Sequence, residues 1–107
     1  RTFTPGPDMQ SARNRCAAVI LDARRILVVG GEVSLSCLSS TEILSLDTMA
    51  FVPGPDMATP RGGCAAVSLD EHRVMVVGGQ PNSGSLVEMI RSFATTEVLD
   101  VRTMAFT

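Results

Sequence analysis

Lysine, tryptophan and tyrosine are absent from the 107 residues, and histidine occurs once. No apolar window reaches the roughly 18 residues that a membrane-spanning helix needs, and the N-terminus lacks the charged-then-apolar pattern of a signal peptide. Each absence removes a class of function. Without lysine, nine arginines stand against eleven acids for a formal net charge of −2, which gives neither a polyanion-binding surface nor an acidic tail. Nucleic acid and membrane are therefore not expected partners. One histidine, His72, leaves no histidine pair for a copper or zinc cluster, and the three cysteines contain no C-x-x-C pair, so no metal or cofactor is expected. An odd cysteine count argues against a complete disulfide framework and favours a reducing, cytoplasmic setting. The first residue is Arg1 rather than Met, which points to a fragment or a processed product.

What is present is repetition. Apolar residues make up 45% of the chain, enough for the core of one ordinary domain. Pro5-Gly6-Pro7-Asp8-Met9 returns as Pro53-Gly54-Pro55-Asp56-Met57, and Cys16-Ala17-Ala18-Val19 returns as Cys64-Ala65-Ala66-Val67, both at a spacing of 48 positions (5 to 53, 16 to 64). The runs Arg25-Ile26-Leu27-Val28-Val29-Gly30-Gly31 and Arg73-Val74-Met75-Val76-Val77-Gly78-Gly79 keep that register. Thr41-Glu42-Ile43-Leu44 returns as Thr96-Glu97-Val98-Leu99 at a spacing of 55 (41 to 96), so seven extra residues lie between Gly79 and Thr96. Insertions of this kind map to loops. The organisation is a leading segment 1–9, a first repeat 10–57, and a second repeat 58–107 with an inserted loop 80–95.

Each repeat divides into four short strand-like segments bounded by turn residues. They are Arg15–Leu21, Arg25–Val29, Glu42–Leu46 and Met49–Val52, then Gly63–Leu69, Arg73–Val77, Glu97–Val101 and Met104–Thr107. The second segment of each is apolar without alternation, which predicts a strand covered on both faces. Four antiparallel strands at a period near 50 suit a propeller blade.

These residues resemble the kelch repeat: a small-residue first strand, a second ending in Gly-Gly, a glutamate in the third, and a fourth with a large aromatic six residues before a methionine. Here Phe51 precedes Met57, and Phe3 precedes Met9 by the same interval, so Arg1–Thr4 reads as the end of a preceding blade's outer strand. The family's usual tryptophan is Phe51 and Phe106, and its usual tyrosine is Leu44 and Leu99. The resemblance implies an all-β chain of two four-stranded antiparallel kelch blades of a β-propeller, incomplete unless extended by further blades in cis or by self-association. It also implies that Cys16 and Cys64 pack in the narrow inner part of the blade.

The resemblance further implies a protein or peptide ligand at the loops that follow the double glycines, and a non-catalytic interaction module. The alternative is a fragment of a kelch-type propeller enzyme, an oxidase or a sugar-modifying enzyme. Antiparallel first and second strands put the entry to the first and the exit of the second at one end. Asn14, Arg15, Glu32, Gln80 and Asn82 are the ligand-binding candidates there. Arg13, Arg61, Glu42 and Glu97 recur in register, as do Gly30, Gly31, Gly78 and Gly79, and repetition favours structural roles, with Arg13–Glu42 and Arg61–Glu97 pairing. Arg15 is replaced by Gly63 in the second repeat and is the sharper ligand candidate. Ser85-Leu86-Val87-Glu88 has the form of a capping box, predicting a helical turn over 86–93 whose Leu86, Met89, Ile90 and Phe93 form either a lid on its own blade or a docking element for a partner. Val76-Val77-Gly78-Gly79 lacks the spacing of a dinucleotide loop, and His72 reads as a solvated turn residue.

Overall fold

The computed structural model describes residues 2–82, 90 and 94–107. Ten strands are described: β1 (Ala17–Asp22), β2 (Arg25–Val29), β3 (Glu32–Val33), β4 (Ser36–Cys37), β5 (Thr41–Ser45), β6 (Ala50–Pro53), β7 (Ala65–Asp70), β8 (Arg73–Val77), β9 (Thr96–Asp100) and β10 (Ala105–Phe106). They form two four-stranded antiparallel sheets, β1-β2-β5-β6 and β7-β8-β9-β10, and a separate hairpin β3-β4. Among the described residues no helix is long and apolar enough to cross a membrane. The eight segments expected from the sequence match the eight sheet strands to within two residues at each end, and β2 and β8 match at both ends. The hairpin β3-β4 was not expected. Of the anticipated helical turn, Leu86, Met89 and Phe93 lie outside the described residues, and Ile90 is exposed.

Local chemistry sets the turns. Asp22 accepts the Arg24 amide at 2.8 Å and the Arg25 guanidinium at 2.9 Å, and Asp70 does the same for His72 and Arg73 at 2.8 and 2.9 Å. An aspartate closing its own turn in this way competes with continued strand and forces the reversal. The backbone amides first, and the arginines next, hold both carboxyls below the usual aspartate range.

Cross-strand register assigns the two faces of each sheet. Leu27 pairs with Val19 and Ile43, and Val29 with Ala17, so these share one face of the first sheet. Val74 pairs with Leu99, and Leu99 with Phe106, so these share a face of the second. The two faces meet in a single core of Leu21, Leu27, Val29, Ile43, Met57, Val74, Val76 and Leu99, with Ala17, Val19, Ala66 and Phe106 packed on it. The cover on both faces expected of these two runs is incomplete: in β2 Leu27, Val28 and Val29 are buried but Ile26 is half-buried beside exposed Ile20, and in β8 Val74 and Val76 are buried while Met75 is half-buried and Val77 is exposed. The physical reason is which face meets the other sheet: Val29 shares the inner face of the first sheet with Leu27, whereas Val77 shares the outer face of the second with Met75.

The double glycines turn the chain out of β2 and β8 with left-handed backbone at every one of the four positions. Gly30 has φ 60°, and a Cβ there would stand 2.4 Å from the Arg61 carbonyl oxygen. The entry to the second sheet therefore lies directly on the exit from β2.

A buried ion pair holds each such entry. Glu42, on β5, accepts the amides of Gln10 and Ser11 at 2.6 and 3.1 Å and Arg13 Nε at 3.1 Å. The remaining donors of Arg13 reach the carbonyls of Gly30 and Ser40 at 3.0 and 2.9 Å and the Ser40 hydroxyl at 2.9 Å. The second sheet repeats the arrangement: Glu97, on β9, accepts Ala58, Thr59 and Arg61 Nε at 2.7, 3.2 and 3.0 Å, and Arg61 reaches the Gly78 and Thr95 carbonyls at 2.8 and 3.1 Å. All four side chains are buried. Burial, the largest single influence on Glu42, pushes its carboxyl up. The Gln10 and Ser11 amides and the Arg13 guanidinium together outweigh it, leaving the group below its ordinary value of 4.5.

Three outcomes follow. Gly30→Ala should lose more than about 2 kcal/mol in a denaturant titration, because left-handed backbone and a clash with rigid backbone add. Glu42→Ala should lose about 3–5 kcal/mol, since Arg13 is left as an uncompensated buried charge. Because Glu42 titrates lower folded than unfolded, its contribution is full above the ordinary value of 4.5 and is lost as pH falls through the folded pKa. Acid titration of Glu42→Gln should therefore show a shallower fall in stability over that window than the parent.

Candidate functional site

The two Arg–Glu pairs decide where the next residues go. Immediately after Arg13, Asn14 forms an antiparallel bridge to Glu32 (Asn14 N to Glu32 O 2.9 Å, Glu32 N to Asn14 O 2.8 Å). After Arg61, Gly62 forms the equivalent bridge to Gln80, at 3.0 and 2.8 Å. Each bridge joins the entry of a first strand to the exit of a second, which gathers the loops at one end of both sheets. Arg13 and Arg61, expected at the same end, are buried beneath it by their ion pairs.

Arg15 sits at the centre of this end. Its Nη1 lies 3.3 Å from Glu32 Oε2, its carbonyl accepts the Gly63 amide at 2.8 Å, and its side chain is 54% exposed. Its backbone is left-handed, φ 55°, at the position where the second repeat has Gly63 with φ 73°. A left-handed arginine is locally unfavourable and persists only where the surroundings over-determine it. Gly63 itself makes room for it: a Cβ there would stand 2.5 Å from Arg15 Nη2. Gly62 likewise lies against Glu32 and Cys37, where a Cβ would be 3.1 Å from Glu32 Oε2 and 2.7 Å from Cys37 Sγ. Neither glycine was singled out from the sequence. The signal was the Gly62-Gly63 doublet standing in register with Asn14-Arg15.

The hairpin β3-β4 projects from the same end. Its two-residue turn, Ser34-Leu35, has both residues left-handed (φ 47° and 70°), the geometry of a type I′ turn without the usual Asn-Gly. Leu35 is fully exposed at the tip. A shallow depression of about 320 Å³ lies between the hairpin and the first repeat's entry, lined by Ala12, Arg13, Asn14, Glu32, Val33 and Ser34. Asn82 braces the hairpin from the second repeat. Its Oδ1 accepts the Cys37 amide and its Nδ2 donates to the Cys37 carbonyl at 2.9 Å. Asn82 thus pairs with a backbone as another strand would, and it is a structural link as well as a loop residue. Gln80 is half-buried, and its side chain has no hydrogen bond among the described residues.

Asn14, Arg15, Glu32, Gln80 and Asn82 are therefore contiguous through Gly62, Gly63 and Cys37. These side chains offer charge and hydrogen bonding. Arg15 bonds Glu32 through Nη1 while Nη2, Cζ and Nε lie over Gly63, and with the side chain 54% exposed its charge stays accessible to a carboxylate. Among the described residues no group of three His, Cys, Asp or Glu side chains could hold a metal ion. Cys64 is no ready nucleophile: burial pushes its thiol up, and it donates to the Val29 carbonyl at 3.9 Å. His72, in the β7–β8 turn, lies at the opposite end beside Glu71.

Asn82→Ala should cost about 1–3 kcal/mol by stripping the Cys37 amide and carbonyl of their partners. Amide exchange should rise at Cys37 while β1, β2 and β5 stay protected; unchanged exchange at Cys37 would contradict the bracing role.

No protein-family model matches the chain and no curated protein matches it, so the functional reading rests on this geometry.

Proposed function

We propose that this chain is a non-catalytic protein-interaction module, its two sheets being kelch-type blades of a β-propeller completed by further blades in cis or by other copies. The double-glycine end presents the ligand site, and the ligand is a protein or peptide bearing a carboxylate. One observation carries this reading: an exposed arginine is held in left-handed backbone above a glycine that leaves space for it, at the end where the loops of both sheets gather. The scaffold supports the same position with glycine in the second repeat, so the arginine there answers no folding need. Binding sites are added to folds at such unrepeated positions. Two features support the blade reading: four-stranded meanders that recur with the sequence repeat, and the small residues of β1 and β7 where the sheets come closest. The three free cysteines suit the cytoplasm.

The test is a peptide array of acidic sequences and their amide counterparts, probed with the parent and with Arg15→Ala. The exposed Arg15–Glu32 pair contributes less than about 1 kcal/mol to stability, so the variant should fold normally. Loss of a charge-assisted pair should weaken binding of acidic peptides by about tenfold or more. Equal binding by Arg15→Ala, or no preference for the acidic peptides, would remove the assignment.

A further inference from the structure

The two sheets are packed in the same sense. The first offers the face of Val19, Leu27, Val29 and Ile43, and the second offers the face of Val74, Val76 and Leu99. By the repeat register, the second sheet's other face carries the counterparts of the first sheet's buried set: Val67, Met75, Val77 and Val98. Of these, Val67 and Val77 are exposed and Met75 and Val98 are half-buried. Val29 is 0% exposed and Val77 is 40%; Leu21 is 6% and Leu69 is 42%. The converse holds on the first sheet, where Leu46 and Met49 are exposed while their counterparts Val101 and Met104 pack on the core.

The molecule therefore ends in two different apolar faces, and each is the sequence counterpart of a face already in contact with the other kind. We propose that these faces join between copies of this chain, the outer face of one copy's second sheet seating on the outer face of the next copy's first sheet. The occupant is specified by continuity with the internal interface, which has shown that faces of these two kinds fit. An interface of unlike faces is head-to-tail: it closes into a ring if its rotation divides a full turn and otherwise extends as a stack. Apolar surface left open on both ends supplies the drive. Met57, buried between the sheets of one copy, has its counterpart in half-buried Met9, which would fill the same position between copies.

The experiment is sedimentation velocity on the parent and on two variants at positions exposed in the single chain, Val77→Glu on one outer face and Leu46→Glu on the other. Circular dichroism first checks that both fold. The parent should sediment as a multiple of 11.3 kDa. Each variant alone should be monomeric, since either face is needed for every contact. An equimolar mixture should form a one-to-one dimer, because one variant keeps the face that the other has lost. A parent that stays monomeric at its highest soluble concentration would overturn the proposal and assign the faces to a different occupant. Self-association retained by either single variant would overturn it in favour of a contact between like faces, and a mixture that stays monomeric would overturn it as well.

Discussion

The buried arginine–glutamate pair is the constraint on which the other features depend. A carboxylate with no solvent must have its charge matched and its lone pairs filled, and Glu42 meets both needs with one guanidinium and two backbone amides. Arg13, equally dry, must fill its donors, and it does so on the carbonyl of Gly30 and on both oxygens of Ser40. Neither residue can be satisfied unless the entry segment, the end of β2 and the start of β5 are all in place. Two side chains thus fix three backbone segments far apart in sequence. The cost of dehydrating such a pair makes it a poor source of net stability, but its geometry admits one arrangement of the chain, which is what a site built from loops requires.

That arrangement explains why the double-glycine end differs between two otherwise parallel repeats. Arg13 and Arg61 set the direction of the following residues identically, so Asn14 and Gly62 form the same bridge. The scaffold's demands stop there. The next position needs only a left-handed backbone, which glycine meets at least cost and arginine meets at some cost in strain. Beyond the glycines the first repeat spends its loop on the hairpin β3-β4, and the second supplies Asn82 to brace it. The variety between the repeats is confined to segments that the ion pairs hold.

Much of the fold was legible because the repeat supplied two readings of each element. β2 and β8 announced themselves by apolar runs with glycine stops, and the Arg–Glu pairing by its recurrence. The hairpin was not legible: Glu32-Val33-Ser34-Leu35-Ser36-Cys37 contains none of the residues that normally permit a type I′ turn, and Ser34-Leu35 adopts it under tertiary constraint. The Asn82–Cys37 link joins the Asn82 side chain to the backbone of a residue 45 positions away, and a backbone partner leaves no mark in a side-chain pattern. Of the site, the membership of Asn14, Arg15 and Glu32 could be placed at one end from strand direction alone. The space that Gly63 leaves for Arg15 could not, because it depends on the distance between two sheets.

The most instructive divergence is in burial. β2 and β8 carry nearly the same apolar sequence, yet Val29 is fully buried and its counterpart Val77 is exposed. Intrinsic preference cannot separate them, since Val29 and Val77 are the same residue in the same register and in the same kind of strand. What differs is which face of the sheet meets the other sheet, and hydrophobic burial is a property of that neighbourhood rather than of the strand. A sequence pattern records the environment in which the residues are stable, whereas the exposure of Val77 records how much of that environment one chain provides. Each apolar counterpart left uncovered thus marks a place where the sequence asks for contact that the two sheets alone do not make.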